Sequence, residues 1–557
     1  MGRAFDTTHN PSMDSKLIND LLAARIKDCA AKGGEVSAAD RRTALLRDLG
    51  LDPLPPRTDL NARVTGTIQC DSYRIEKLRY ESRPGFLVTA HLYVPDGEGP
   101  WPVVLNPHGH FEFKKSTPWI QARGVSLALA GFAALIVDSP GRSWDDNAAN
   151  ERAAQGSHDD WFLCMGAPIQ GLYVWDLMRG LDYLESRPEF DTKRLGITGA
   201  SGGGTASMYA FAVDERITAA VPVCFISSFE NSTTDGCLCN HVSGVLLLGD
   251  RNDVVAMRAP APVMVIGATV DHDFPPEGTK LAFDKLRKSY RNVKAEDKLR
   301  LVILESNHDY NRRMREYMLA FFLEHLKGET PRDFFAEWRP LTDGVDRPFP
   351  CGTLPELDPS LLVTEPDQRQ TTTFRDVLVK ALAEPYPIPY DAFGRLPRWT
   401  RYGRIPSIAS GAIVAIHDAS IDSPKEPGSI SVDFSAINAR DAIYLGLSVP
   451  EVVAQLLHFS FPGAPEGWEG AGNIHTDALT SMIASVKTLV TASQPGEPPK
   501  MFVAEGDVSS MVALFLKKLR PEISIEVSRS WDSWNSIVES GTRELTQPGA
   551  RYLEFPA

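Results

Sequence analysis

Between residues 61 and 330 the chain alternates short apolar runs with longer stretches in which apolar positions recur every three or four residues. Pro102-Val-Val-Leu105, Arg194-Leu-Gly-Ile-Thr198, Pro262 to Val270 and Leu301-Val-Ile-Leu304 read as buried strands. The segment bearing Val174, Leu177, Met178, Leu181 and Leu184, and the one bearing Met314, Met318, Phe321 and Phe322, each place their apolar side chains on one helical face. Apolar strands separated by amphipathic helices predict an α/β fold, a mostly parallel sheet with helices on both faces, over residues 61–330. Ahead of it, residues 1–60 carry helical material with Leu17, Leu21, Leu22, Ile26, Leu45, Leu46 and Leu49, broken at Pro53-Leu-Pro-Pro56 and expected to pack on that core.

After Lys327-Gly-Glu-Thr-Pro331 the pattern dissolves into a proline-rich stretch, which predicts a linker over 331–360 and a second unit over 361–557. That second half echoes the first. Leu479, Met482, Ile483, Val486, Leu489 and Val490 lie at almost the offsets of the 174–184 helix, and Lys500-Met-Phe-Val-Ala504 follows as a strand. The equivalent turn brings Gly506 or Asp507 where the first half has Ser201, and no histidine follows His475 to act as a base. The expectation is a degenerate, non-catalytic α/β accessory domain, with an unrelated α/β domain as the alternative.

Chemistry concentrates where the strands end. Gly199-Ala200-Ser201-Gly202-Gly203 is a G-x-S-x-G running out of a strand into a helix, the context in which a serine stands exposed on a tight turn facing the backbone N–H of Gly202 and the helix N-terminus. A serine hydroxyl needs a base and an orienting acid, arranged in the order Ser, Asp/Glu, His in this kind of site. His308 follows the 301–304 strand, and Asp271 and Asp273 follow the 262–270 strand, so each candidate sits just past a C-terminal strand end. Asp271 is the nearer to its strand and the preferred acid; Asp273 competes, and Glu305 is a distant third. Upstream, Asn106-Pro-His108-Gly109-His110 follows a strand, and its glycine would turn the N–H of His110 inward as the second oxyanion donor beside Gly202. A metal site from His108 and His110 is the competing idea, but two histidines at i, i+2 without a carboxylate or cysteine nearby make a poor zinc set. Cys237-Leu-Cys239-Asn240 has no second ligand pair in the sequence nearby, so a structural role in its loop is preferred.

These segments, with Tyr80 to Pro95, Val137-Asp138-Ser-Pro-Gly-Arg142, Asp271-x-x-x-Pro275-Pro276 and His308-Asp-Tyr-Asn311, together resemble the acetyl xylan esterase-like branch of the α/β-hydrolase superfamily, which is similar to dienelactone hydrolases and to cephalosporin C and xylan deacetylases. The resemblance spans about residues 50–330. It implies a serine ester hydrolase with Ser201, Asp271 and His308 at matching positions, no cofactor, and a small-molecule ester as substrate, and it is weak as to which ester.

Charge and composition narrow the partners. A net charge of −14 opposes nucleic acid or anionic membranes, which require a basic surface. The start of the chain lacks a signal-peptide pattern, and no stretch reaches transmembrane length. Seven cysteines, an odd number scattered through core-like runs, suit reduced thiols in a cytoplasm; export from a processed precursor and homo-oligomerisation stay open. Three classes of function follow: ester hydrolysis through an acyl-enzyme, amide or C–C hydrolysis by the same triad, and a binding protein with a vestigial site. Trp144, Trp161, Phe162 and Phe229 lie in loops expected to roof the pocket.

Overall fold

The computed structural model describes residues 37–109, 113–140, 169–231, 242, 245–329, 354 and 358–363, four strands at 414–417, 430–433, 502–505 and 525–527, and the isolated helical positions Ala23, Lys27 and Ala30. Nine strands form one sheet: β1 Arg63–Gln69, β2 Tyr73–Arg83, β3 Phe86–Pro95, β4 Trp101–Leu105, β5 Ala133–Val137, β6 Phe190–Ala200, β7 Ala219–Val223, β8 Val263–Val270 and β9 Leu299–Asn307. Their spatial order is β1-β2-β3-β5-β4-β6-β7-β8-β9. The first three strands are antiparallel, β5 joins β3 antiparallel, and β5, β4 and β6 to β9 run parallel.

Central strands such as Ala133-Ala-Leu-Ile-Val137 are buried at every position because helices cover both faces of the sheet. The helices are α1 Ala38–Asp48, α2 Pro118–Leu129, α3 Ile169–Glu185, α4 Gly202–Val213, α5 Arg251–Ala256, α6 Pro276–Asn292 and α7 Arg312–Phe322. The two helical faces legible in the sequence land on opposite sides. Val174, Leu177, Leu181 and Leu184 of α3 belong to one apolar cluster, and Met314, Met318, Phe321 and Phe322 of α7 to the other. Leu45 and Leu49, at the end of α1, join the first cluster, so this part of the N-terminal segment packs on the core as expected. Ser37 caps α1 by accepting the Asp40 N–H at 3.1 Å.

The stretch read as linker is held at Leu354 by α2, and the residues just beyond it are held by the sheet. His91, pushed down to about 3 by burial and by the nearby Lys115 charge, is neutral and donates Nε2–H to the Leu361 carbonyl at 2.8 Å. Thr65 donates to the Val363 carbonyl, and Gln121 exchanges two hydrogen bonds with the Leu354 backbone. Further on, β10 Val414–His417, β11 Ile430–Asp433, β12 Phe502–Glu505 and β13 Ile525–Val527 form a second, all-parallel sheet in the order β11-β10-β12-β13. β12 coincides with the strand expected at 500–504. The helix expected around 479–490, and Gly506 and Asp507, lie outside the described residues.

A buried ion pair fixes the loops at one end of the main sheet. Asp138, just past β5, takes hydrogen bonds from the Lys115 ammonium at 2.5 Å, the Lys115 backbone N–H at 3.1 Å and the Thr89 hydroxyl at 2.6 Å. Both charged side chains are fully buried. Burial alone would raise the carboxyl pKa, but the Lys115 charge and His108 hold it well below the ordinary range. Because the folded value is depressed, the stabilisation is present above the unfolded carboxylate range and disappears as pH falls through the folded value. Asp138→Asn is expected to cost about 3–5 kcal/mol, since it leaves a buried ammonium without its carboxylate; a thermal midpoint close to that of the parent would contradict this.

Candidate active site

Ser201 links β6 to α4 with φ 56° and ψ −123°, a left-handed conformation that costs a non-glycine residue about 1–3 kcal/mol. The flanking glycines make the turn possible by removing bulk. A Cβ on Gly199 would lie 2.4 Å from the Pro107 carbonyl oxygen, and one on Gly203 would lie 2.5 Å from the same atom. These contacts are with backbone, which cannot swing away. Gly203→Ala is therefore expected to destabilise the fold by about 2–3 kcal/mol through overpacking, read as a lowered thermal midpoint.

Pairing between neighbouring strands sets the rest of the site. Val270 of β8 is paired with Asn307 of β9, so Asp271 and His308 leave the sheet side by side. His308 donates Nδ1–H to Asp271 Oδ2 at 2.9 Å, while Asp271 Oδ1 accepts the backbone N–H groups of Asp273 at 3.0 Å and Phe274 at 2.9 Å. The carboxylate is thus held on both oxygens and completely buried, while the imidazole keeps about 29% of its side-chain surface exposed. Asp273 supplies a backbone N–H to Asp271 and acts on His308 through charge alone; Glu305 lies exposed within β9. Burial would lower the His308 pKa, but the hydrogen bond and charge of Asp271, with the charges of Asp273 and Asp309, outweigh it and leave the ring above its ordinary value.

Gly202 opens α4, where backbone N–H groups have no partner within the helix. The loop after β4 runs beside it: a Cβ on Gly109 would sit 3.3 Å from the Gly202 nitrogen and 3.4 Å from Ser201 Cβ. This is the neighbourhood expected to supply the second oxyanion donor. His110 itself lies outside the described residues. His108 is fully buried, with Nδ1 donating to the Gly109 carbonyl at 2.8 Å and Nε2 accepting the Ser139 N–H at 3.3 Å. Burial lowers its pKa, and both ring nitrogens are committed, which removes it as a metal ligand.

Three neighbours of the site escape sequence reasoning. Phe274 stacks on the His308 ring at 5.8 Å and is itself flanked by Phe225 and the buried Arg251 guanidinium. Cys224 follows β7 with φ 47° and donates its thiol to the Asp309 carbonyl at 3.4 Å. Its strand-end position, shared with Ser201 and Asp271, is the signal that marks it. Sγ, an Asp271 oxygen and a His308 nitrogen all lie within 4.8 Å of one another, a donor set a metal ion could use. Burial and the adjacent Asp271 charge push the thiol pKa far up, so at neutral pH it is a protonated, poor ligand. Gln170, at the start of α3, is the third. Of the aromatic residues expected in the roofing loops, Phe229 is buried beneath Arg251 at 4.1 Å; Trp144, Trp161, Phe162 and the Cys237/Cys239 pair lie outside the described residues.

Residues 53–235 match the acetyl xylan esterase family model, and residues 170–329 match the prolyl oligopeptidase family. The Bacillus subtilis protein YtaP, named as a candidate hydrolase, is 24% identical over 305 residues, covering 52% of this chain and 99% of its own length. The acetyl esterase Axe7A of Xylanibacter ruminicola is 27% identical over 164 residues, 28% of this chain and 36% of that protein. Among solved structures, the methylesterase BT1017 aligns at 23% identity and a TM-score of 0.46 over 65% of this chain and 74% of that one. The main sheet has the architecture of an α/β hydrolase. Over residues 53–235 the chain is acetyl xylan esterase-like.

Proposed function

We propose that the protein cleaves small-molecule carboxylic esters through an acyl-enzyme on Ser201. Asp271 holds the imidazole with Nδ1 protonated, so Nε2 of His308 is free to take the Ser201 proton as Oγ bonds to the ester carbonyl carbon. The oxyanion formed from the carbonyl is stabilised by the Gly202 N–H at the start of α4 and by the His110 N–H. The intermediate collapses, the bond to the alcohol oxygen breaks, and His308 returns the proton to that alcohol. Water then attacks the acyl-serine by the same route, releasing the acid and restoring Ser201. The observations carrying this reading are the 2.9 Å His308–Asp271 hydrogen bond at the ends of β9 and β8 and a serine held at φ 56° at the end of β6.

Rapid-mixing kinetics with p-nitrophenyl acetate test it: a burst of nitrophenol equal to the enzyme concentration supports an acyl-enzyme when deacylation is the slower step. A quenched-flow sample carrying no acetyl on the Ser201 peptide under any condition of turnover would contradict it. The prolyl oligopeptidase match over 170–329 favours one second reading, amide hydrolysis by the same residues. Comparing an acetyl ester with the matching anilide separates the two.

The units read at 1–60, 61–330, 331–360 and 361–557, with a non-catalytic role for the last, remain part of this proposal, as does a cytoplasmic setting argued from cysteine usage. Among the described residues no helix is long and apolar enough to cross a membrane.

A further inference from the structure

The start of α3 reaches both backbone segments assigned to the oxyanion. Tyr173 is buried, and its hydroxyl accepts the His108 backbone N–H and donates to the Val137 carbonyl, each at 2.9 Å. Three residues earlier Gln170, also buried, donates Nε2–H to the Gly202 carbonyl at 3.4 Å. Residues three apart are neighbours on a helix surface. One face of α3 therefore holds the loop after β4 through Tyr173 and the first turn of α4 through Gln170. The Tyr173 bonds are the firmer hold, since 3.4 Å is at the weak end of hydrogen-bond distance.

Packing alone does not set the spacing of these segments. The Pro107 carbonyl abuts Gly199 and Gly203, but beyond it His108, Gly109, Gly202, Gln170 and Tyr173 line one small cavity instead of closing on one another. The Tyr173 hydroxyl ties the His108 peptide to the end of β5, and the His108 ring in turn holds the Gly109 carbonyl at 2.8 Å. A trans peptide points its N–H opposite to its carbonyl, so a fixed Gly109 carbonyl sets the direction of the N–H that follows it. We propose that Tyr173, assisted by Gln170, is a positioning residue for the oxyanion hole, acting through the 108–109 backbone and the Gly202 peptide rather than on the substrate. This rests on the reading of Ser201 as the nucleophile, with the oxyanion held by the N–H groups of Gly202 and His110.

The test is Tyr173→Phe, which removes one hydroxyl and both of its hydrogen bonds. Two inhibitors separate oxyanion binding from substrate binding. 1,1,1-Trifluoro-4-phenylbutan-2-one adds to a serine nucleophile and forms an oxyanion, whereas 4-phenylbutan-2-one has nearly the same shape and does not add. With rates expressed per site titrated by a fluorophosphonate, kcat/KM for p-nitrophenyl acetate is expected to fall about tenfold to a hundredfold. That is less than the roughly 10²–10³ lost when an oxyanion donor is removed outright, because here the donor is only displaced. The Ki of the trifluoromethyl ketone should rise by the same factor, while the Ki of the methyl ketone stays within about threefold and the His308 limb of the pH profile stays in place. A purely structural role would lower the number of titratable sites or the thermal midpoint and leave the ratio of the two Ki values as in the parent. A kcat/KM within about threefold of the parent, equal rises in both Ki values, or a loss that travels with a shifted pH limb would overturn the assignment. If Tyr173→Phe does not fold, Gln170→Met decides. It is expected to change the ratio of the two Ki values in the same direction, by about threefold to tenfold, and an unchanged ratio would overturn the proposal. Failure of the underlying esterase reading looks different: the wild type itself would neither turn over the acetate nor prefer the trifluoromethyl ketone.

Discussion

Ser201→Ala is expected to lower kcat/KM for p-nitrophenyl acetate by about 10⁴-fold or more, because nucleophile and base act as a unit and neither is productive alone. The thermal midpoint should change little. Ser201 is half-exposed at the tip of its turn, and the contacts that hold the turn belong to Gly199, Gly203 and the Pro107 backbone. The combination separates a chemical role from a structural one, since a residue needed only for the turn would lose stability and activity together. Activity within tenfold of the parent would remove Ser201 from the mechanism.

Asp271→Asn is expected to cost about 10³–10⁴ in kcat, because an amide in place of the carboxylate favours the wrong imidazole tautomer and removes the charge that stabilises the imidazolium. It should also move the pH profile in a defined direction. Neutral His308 is the base, so kcat/KM climbs with pH through a limb set by that ring, which Asp271 holds above the ordinary histidine value. Without the carboxylate the limb moves to lower pH. The same interaction stabilises the folded chain below the ordinary histidine pKa and is lost as pH rises through the raised value. Asp273→Asn should cost far less, since its carboxylate touches His308 through charge alone while its backbone N–H to Asp271 is kept. A larger loss at Asp273 than at Asp271 would make Asp273 the acid.

The sheet was legible because burial on both faces leaves runs such as 133–137 and 262–268 with hardly a polar position, and because α3 and α7 each carry one apolar stripe. The antiparallel start, β1 to β3, was less so: β1 is largely exposed and β2 mixes buried and half-buried positions, and register between neighbours leaves no periodic trace. Strand ends carry the site for a reason visible in sequence, namely that loops leaving parallel strands all emerge at one end. That argument brings Ser201, Asp271 and His308 to a common edge, but it cannot say that Val270 pairs with Asn307, the register that brings acid and base to 2.9 Å. Cys224 and Gln170 were hidden differently. A cysteine after an apolar run and a glutamine opening an amphipathic helix look like core filler and helix surface, and only three-dimensional packing sets one against Asp309 and the other against the Gly202 carbonyl. His108 shows the opposite case, a histidine in a suggestive motif whose ring is consumed by loop hydrogen bonds.

Active-site labelling tests the central claim most directly. Wild-type protein treated with a fluorophosphonate probe and digested should carry one phosphonyl group, mapped by mass spectrometry to Ser201, with labelling abolished in Ser201→Ala and strongly slowed in His308→Ala. A folded wild-type protein that stays unlabelled, or one labelled at another residue while Ser201 remains free, would contradict the account.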